Sequence, residues 1–270
     1  MLVPAAERKL ATGSPQRPFE DSRMSPGQTL RRSIRKTLRS VGLENVSLEA
    51  DRRFTLWRKR SIVDALLHYP TYDDRTRYEA VRSADPVRYS TIALALSTID
   101  RESVAGSLAE VGVFQGVTAR FIRLASPQRT FYLFDTFAGF PDRDLEVATD
   151  ERFRDTSVDA VKRMVGDTSR VVIRQGIFPE TAAGLDSESF AFVSLDADLY
   201  NPTLAGLQFF YSRLSPGGYI FLHDHTSPES NHAVSRACVE FLADKPEKLI
   251  ELPDRFGTAI LRKGSRPLLA

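Results

Sequence analysis

The chain has 270 residues, enough for one large α/β domain or a domain with an appendage. Its 42% hydrophobic and 27% charged residues are the balance of a soluble globular protein, and a formal charge of +2 gives no footing for nucleic acid. The single cysteine, Cys238, excludes an intramolecular disulfide and a cysteine-based zinc site.

The first residues, MLVPAAERKLATGSPQRPFEDS, lack the apolar core of a signal peptide. No later run approaches the ~18 apolar residues that a membrane span needs. A cytoplasmic location with no membrane partner is therefore expected. Residues 1–28 are rich in Pro, Gly, Ser and charge without helical or strand period, which predicts a flexible arm. Basic residues then cluster in RRSIRKTLRS (31–40), DRRF (51–54) and WRKR (57–60). Such runs are usually solvated helix faces; the sharper reading is a subsite for an anionic group on the substrate. Apolar residues at helical spacing predict helices over 54–69 and 89–99, the second largely buried, so residues 29–103 read as a helical cap.

From residue 104 short apolar runs alternate with helical stretches, the pattern of βαβ units on a parallel sheet. Strands are predicted at 107–113, 130–135, 170–176, 190–196 and 217–224, with helices at 118–125, 158–165, 203–214 and 231–243. KLIEL (248–252) and GTAILRK (257–263) suit an antiparallel pair at the sheet edge. The body at 104–270 then resembles a Rossmann-like fold, with helices on both faces of a mostly parallel sheet.

Chemistry concentrates at the strand ends. AEVGVFQGVTA (109–119) joins a strand to a helix through Gly112 and Gly116, a spacing looser than the dinucleotide fingerprint. Asp135 ends the second strand about 20 residues on, where an acid can hydrogen-bond the ribose hydroxyls of an adenosine cofactor. NAD and S-adenosylmethionine both carry such a ribose. SLDADLY supplies Asp196 and Asp198, and FLHDHTS supplies His223, Asp224 and His225. The fourth and fifth strands should be neighbours, so these acids converge over one crevice. Carboxylates that close repel unless a cation lies between them, and oxygen ligands suit Mg²⁺ or a similar divalent ion. Asp196 and Asp224 are expected at the metal and Asp198 as the cap of the next helix. His223 is a candidate ligand, and His225 a group able to accept a proton at neutral pH. A His-Asp-His tripeptide cannot easily turn all three side chains to one ion, which argues against a zinc site.

Several stretches resemble the macrocin O-methyltransferase family of antibiotic sugar-tailoring enzymes: DPVRYSTIALAL, AEVGVFQGVTA, YLFDTFAGFP, FVSLDADLYNPTLAGLQFFYSRLSPGGYIFLHD and PDRFGTAILRK. The likeness runs from about Asp85 to Lys263. It implies a class I methyltransferase fold with a seven-stranded sheet, S-adenosylmethionine and a divalent metal. It also implies a small-molecule acceptor, either a glycosylated natural product or a nucleotide-sugar, and a homo-oligomer. Carried over by position, Glu110 and Gly112 line the methionine-side turn with Gly116, and Thr118 lies near the carboxylate. Asp135 and Thr136 serve the ribose, while Gln175, Gly176, Ile177 and Phe178 border the adenine. Asp196 becomes a metal ligand and the base for the acceptor hydroxyl, and Asp224 a second ligand. Many members have two adjacent acids where this chain has His223-Asp224. An imidazole there weakens Mg²⁺ binding, so that Mg²⁺ stays the first expectation with Mn²⁺ or another transition ion as the alternative. The long polar segment 139–157 suits a lid over the acceptor. Two rivals stay open at this point: an NAD-dependent dehydrogenase, and a cofactor-binding module without catalysis in a biosynthetic complex.

Overall fold

The run FAFVSL is apolar at all but one position, and in the computed structural model it is the fully buried middle strand of a seven-stranded sheet. A strand covered on both faces needs such a continuous run rather than alternation. The structure describes residues 49, 50, 52–55, 57 and 73–264, except 147, 148 and 167. These lie almost wholly in the second of two compact units, 1–51 and 52–270. The arm at 1–28, the basic cluster at 31–40 and nearly all of the helix expected over 54–69 fall outside the described residues.

In chain order the elements are α1 (Asp74–Arg82), α2 (Pro86–Arg101), β1 (Ser107–Val111), α3 (Val117–Ala125) and β2 (Phe131–Asp135). Then come α4 (Val158–Val165), β3 (Val171–Gln175), β4 (Phe190–Leu195), α5 (Tyr200–Arg213) and β5 (Leu214–Leu222). The chain closes with α6 (Ala233–Phe241), β6 (Ile250–Glu251) and β7 (Ala259–Arg262). The sheet order is β3-β2-β1-β4-β5-β7-β6. β1 to β5 are mutually parallel, and β7 pairs antiparallel with both β5 and β6. The seven-stranded, mostly parallel α/β sheet and the antiparallel edge pair are both as expected.

Successive strand residues serve opposite cores. Leu108, Phe131, Phe192 and Phe221 pack beneath α2, α3 and α4, among Ile92, Leu96, Phe121 and Val161. Ala109, Phe134, Val193 and Leu222 pack on the other face against α5 and α6, among Leu207, Phe210 and Cys238. Each buried Phe contributes roughly 2 kcal/mol of transfer free energy, so the fold rests on these layers. α2 begins with Asp85 as N-cap and Pro86 in its first turn, a pairing that fixes where the helix starts. α1 and α2 share the core of the sheet through Ala80, Val81, Ile92 and Ile99. Among the described residues no helix is long and apolar enough to cross a membrane.

Strand order reverses between β1 and β4, and the crevice above that point is where α/β sheets hold ligands. A cavity of about 600 Å³ opens there.

Candidate active site

The cavity wall over β1 and β2 is built by one carboxylate. Asp135 Oδ2 accepts the backbone N–H groups of Val113 (2.7 Å) and Phe114 (2.8 Å), and Oδ1 accepts that of Phe137 (2.7 Å). A carboxylate offers about four acceptor sites, so Asp135 first shapes two loops and keeps room for about one further donor. The loop it holds passes Gly112, whose φ is +83° and whose added Cβ would stand 1.8 Å from the Asp196 carbonyl oxygen. Only glycine fits at that contact. Glu110, Gly112, Thr118, Asp135, Thr136, Gly176, Ile177 and Phe178 all line the cavity. Gly116 and Gln175 do not. Gly116 starts α3 in a left-handed turn against Val161, and Gln175 ends β3 facing solvent. Burial, with the charge of Asp196 next, pushes the Glu110 carboxyl well above its ordinary range. One Glu110 oxygen, Oε2, is buried without a hydrogen-bond partner.

The opposite wall follows β4 and β5. Backbone hydrogen bonds continue the ladder past the strand ends, Asp196 N–H to Val111 C=O and His223 N–H to Leu195 C=O, each at 2.9 Å. These fix Asp196 and His223 side by side. Asp196 Oδ1 lies 2.8 Å from His223 Nδ1, which is also 2.8 Å from Asp224 Oδ2. Asp196 Oδ2 accepts from the Arg88 guanidinium at 2.9 Å. Burial alone would raise Asp196, but His223 and Arg88 overcome it and hold the carboxyl below the usual range. Burial would likewise lower His223, but Asp196 and then Asp224 push it up to about 10. Asp198 forms no ion pair among the described residues, and Arg152 and His223 act on it only through their charge. Burial first, then the charges of Asp196 and Asp224, hold it well above the usual carboxyl range.

Asp196, His223 and Asp224 each present one donor atom, all within 4.8 Å of one another. Two carboxylates and one imidazole form a set that fits a divalent ion, with Mn²⁺ better matched than Mg²⁺. Two other expectations fail here. The N-cap of α5 is Leu199, with no side-chain cap, while Asp198 sits before it at φ +57° and lines the cavity. His225 does not line the cavity: it is buried with Nδ1 3.5 Å from Glu251 Oε1 on β6, and burial lowers its pKa.

Of the segment at 139–157, Gly139, Phe140, Pro141, Asp144, Arg152 and Phe153 line the cavity. Phe153 packs edge-on against Phe114 and Phe140, with centroids 5.1 and 5.3 Å apart. Arg152 stands 5.4 Å from both the Phe140 and Phe153 centroids and is clasped by Asp150. Thr156 Oγ1 donates to the Phe114 carbonyl, and Gln115 Nε2 donates to the Asp155 carboxylate at 2.9 Å.

Residues 80–246 match the family described as macrocin-O-methyltransferase (TylF), more than half of the chain. The chain belongs to that family. It is 30% identical over 156 residues to a mycinamicin III 3″-O-methyltransferase of Micromonospora griseorubida, covering 50% of this chain and 61% of that protein. It is 25% identical over 167 residues to an 8-demethyl-8-(2,3-dimethoxy-α-L-rhamnosyl)-tetracenomycin-C 4′-O-methyltransferase of Streptomyces olivaceus, covering 54% and 63%. The match thus spans less than two thirds of either curated relative. Among solved structures, the O-methyltransferase NovP superposes with a TM-score of 0.56 at 25% identity, over 66% of this chain and 79% of its own.

Within this macrocin-O-methyltransferase fold, the residue that sequence reasoning missed most clearly is Arg88. Its side chain is only 7% exposed, yet it reaches a carboxylate 108 residues away. A signal was present, because Arg88 shares the stripe of Ile92, Leu96 and Ile99 at helical spacing, and a charge on a buried stripe needs a partner. Asp85, the N-cap of α2, also reaches beyond its own helix. Its Oδ1 accepts the Arg88 N–H (3.1 Å) and its Oδ2 the Arg255 N–H (3.0 Å), joining α2 to the turn before β7. That turn lays Phe256 against His223, ring centroids 5.3 Å apart.

Proposed function

We propose that this chain is an S-adenosylmethionine-dependent, divalent-ion-assisted O-methyltransferase acting on a hydroxyl of a sugar carried by a natural product or its precursor. The observation that carries the reading is the meeting of two unlike walls over one cavity. A glycine turn organised by Asp135 faces the Asp196–His223–Asp224 cluster, and the Gly112–Asp196 contact joins them. Family membership and the two curated relatives, both named as O-methyltransferases of natural products, support the same reaction.

S-adenosylmethionine supplies a methyl group on a sulfonium centre when bound. Ile177 and Phe178 offer an apolar wall for its adenine, Asp135 an acceptor for a ribose hydroxyl, and Glu110 an unpartnered carboxyl toward its methionyl end. A divalent ion held by Asp196, His223 and Asp224 would lower the pKa of an acceptor hydroxyl. Arg88 fixes Asp196 in one orientation and keeps it charged, so Asp196 acts as an anchor and is a weak base. Asp198 lines the same cavity and would take the hydroxyl proton as the acceptor oxygen bonds to the methyl carbon and the carbon–sulfur bond breaks, leaving S-adenosylhomocysteine. Phe114, Phe140 and Phe153 exclude water above the reacting atoms. Alignment of oxygen, carbon and sulfur supplies much of the rate gain.

Calorimetric titration with S-adenosylhomocysteine tests the cofactor, run beside Asp135→Asn, which keeps the shape and removes the charge. Micromolar binding that the variant weakens at least tenfold is the expected result. Absence of binding by the folded wild type overturns the reading. Methyl transfer to a glycosylated acceptor, lost on chelation and restored by Mn²⁺, tests the rest.

A further inference from the structure

The charged groups around the cavity are matched on most of its walls. Arg88 and His223 meet Asp196, His223 meets Asp224, Asp150 clasps Arg152, and Asp135 meets three backbone N–H groups. Arg255 differs. It lines the cavity and is exposed, its guanidinium lies 5.0 Å from the Phe256 ring, and among the described residues no carboxylate pairs with it.

Its backbone, by contrast, is held firmly. The Arg255 N–H is donated to Asp85, which is only 3% exposed. Asp254 Oδ1 accepts the N–H groups of Gly257 (2.6 Å) and Thr258 (2.8 Å). A cation on a fixed backbone beside a cavity is a built feature, since its side chain contributes nothing to holding the turn.

The carboxylates Asp196 and Asp224 deeper in the cavity already have cationic partners, so the charge left for an incoming group is that of Arg255. A molecule with a hydroxyl at one end and an anion at the other is therefore oriented with its hydroxyl end inward and its charged end at Arg255. The planar guanidinium suits phosphate and carboxylate oxygens, which it binds two at a time. Phe256 ties the two ends together, because the same turn also packs on His223.

We propose that Arg255 is an acceptor-specificity residue, and that the turn at 253–257 is a subsite for an oxyanion group carried by the acceptor. The proposal rests on the methyltransferase reading for its second partner. The shared chemistry is phosphate or carboxylate, from the diphosphate of a nucleotide-linked sugar or from an acid group on a glycosylated product.

The test is calorimetric titration of the full chain, saturated with S-adenosylhomocysteine, with three probes: uridine 5′-diphosphate, methyl glucuronide and methyl glucoside. An anionic probe is expected to bind at least tenfold more tightly than methyl glucoside, and less tightly as salt is raised. Arg255→Gln should weaken the anionic probe about tenfold, and Arg255→Lys should recover part of that loss. Preference for the diphosphate identifies a nucleotide-linked sugar as the source, and preference for the glucuronide identifies an acid group on the acceptor. Unchanged affinity in Arg255→Gln, or equal affinity of wild type for all three probes, overturns the proposal. S-adenosylhomocysteine is titrated separately, so failure of the cofactor reading is seen apart from failure of the anion subsite.

Discussion

Asp135 and Asp196 end the two strands that flank β1, and both face the same cavity, yet they are held by opposite means. Asp135 is gripped by backbone N–H groups, three of them within 25 residues of it in sequence. Asp196 is gripped by two charged side chains, one of them 108 residues away on α2. The first arrangement organises a loop before any ligand arrives, and it survives whatever side chains line that loop. The second keeps one carboxylate ionised and aimed, and it depends on particular residues. The half of the cavity over β1 and β2 is therefore built from backbone, and the half over β4 and β5 from side chains.

The contact between the halves is the place to break this arrangement most completely. Gly112→Ala puts a Cβ where the Asp196 carbonyl oxygen stands, 1.8 Å away, at a φ of +83°. We expect a loss of more than about 4 kcal/mol, read as insoluble chain or as a lowered denaturant midpoint. Arg88→Met tests the side-chain half alone. It leaves Asp196 without its buried guanidinium and should cost about 3 kcal/mol, with turnover reduced at least a hundredfold. S-adenosylhomocysteine affinity should change less than threefold, because the Asp135 loops are untouched. A tenfold loss of that affinity would mean the halves are not separate.

The histidines sharpen the comparison. His223 is inside the side-chain cluster, and His225, two residues on, is outside it. In the metal-free chain their imidazole resonances should titrate in opposite directions, His223 up to about 10 and His225 below its ordinary value. Because the folded pKa of His223 is raised, its stabilising effect is complete below the unfolded value of about 6.5 and is lost as pH rises toward the folded one. The depressed His225 has the reverse sign, and stability falls as pH drops through and below about 6.5. Denaturant midpoints across that range, in wild type and in His225→Phe, measure the second effect; the variant should lose the acid-side fall. The smallest change is expected of Phe153→Ala, which removes two edge-on aromatic contacts worth about 1 kcal/mol each and should raise the acceptor KM a few-fold.

The strands were legible because each is a short apolar run between turns, and FAFVSL could hardly have been anything else in a buried parallel sheet. The Asp135 wall was legible for the same local reason: Asp135 and its partners lie close together in the chain. What local pattern could not carry was pairing at long range. Arg88 looked like an ordinary helix charge until α2 was laid on the sheet. Asp198 looked like a cap, but a left-handed backbone at that position moves the helix start to Leu199 and turns the carboxylate into the cavity. His223 and His225 would share a face in a continuing strand; the left-handed φ of +56° at Asp224 ends the alternation, and the two part.

The turn at 253–257 has an evolutionary consequence. Asp85 and Asp254 hold it through main-chain N–H groups alone, those of residues 255, 257 and 258. Side chains at 255 and 256 can be exchanged without disturbing any of those bonds. A lineage carrying this turn can change the side chains it shows to the cavity by single substitutions there, while the scaffold and the Asp135 wall stay fixed.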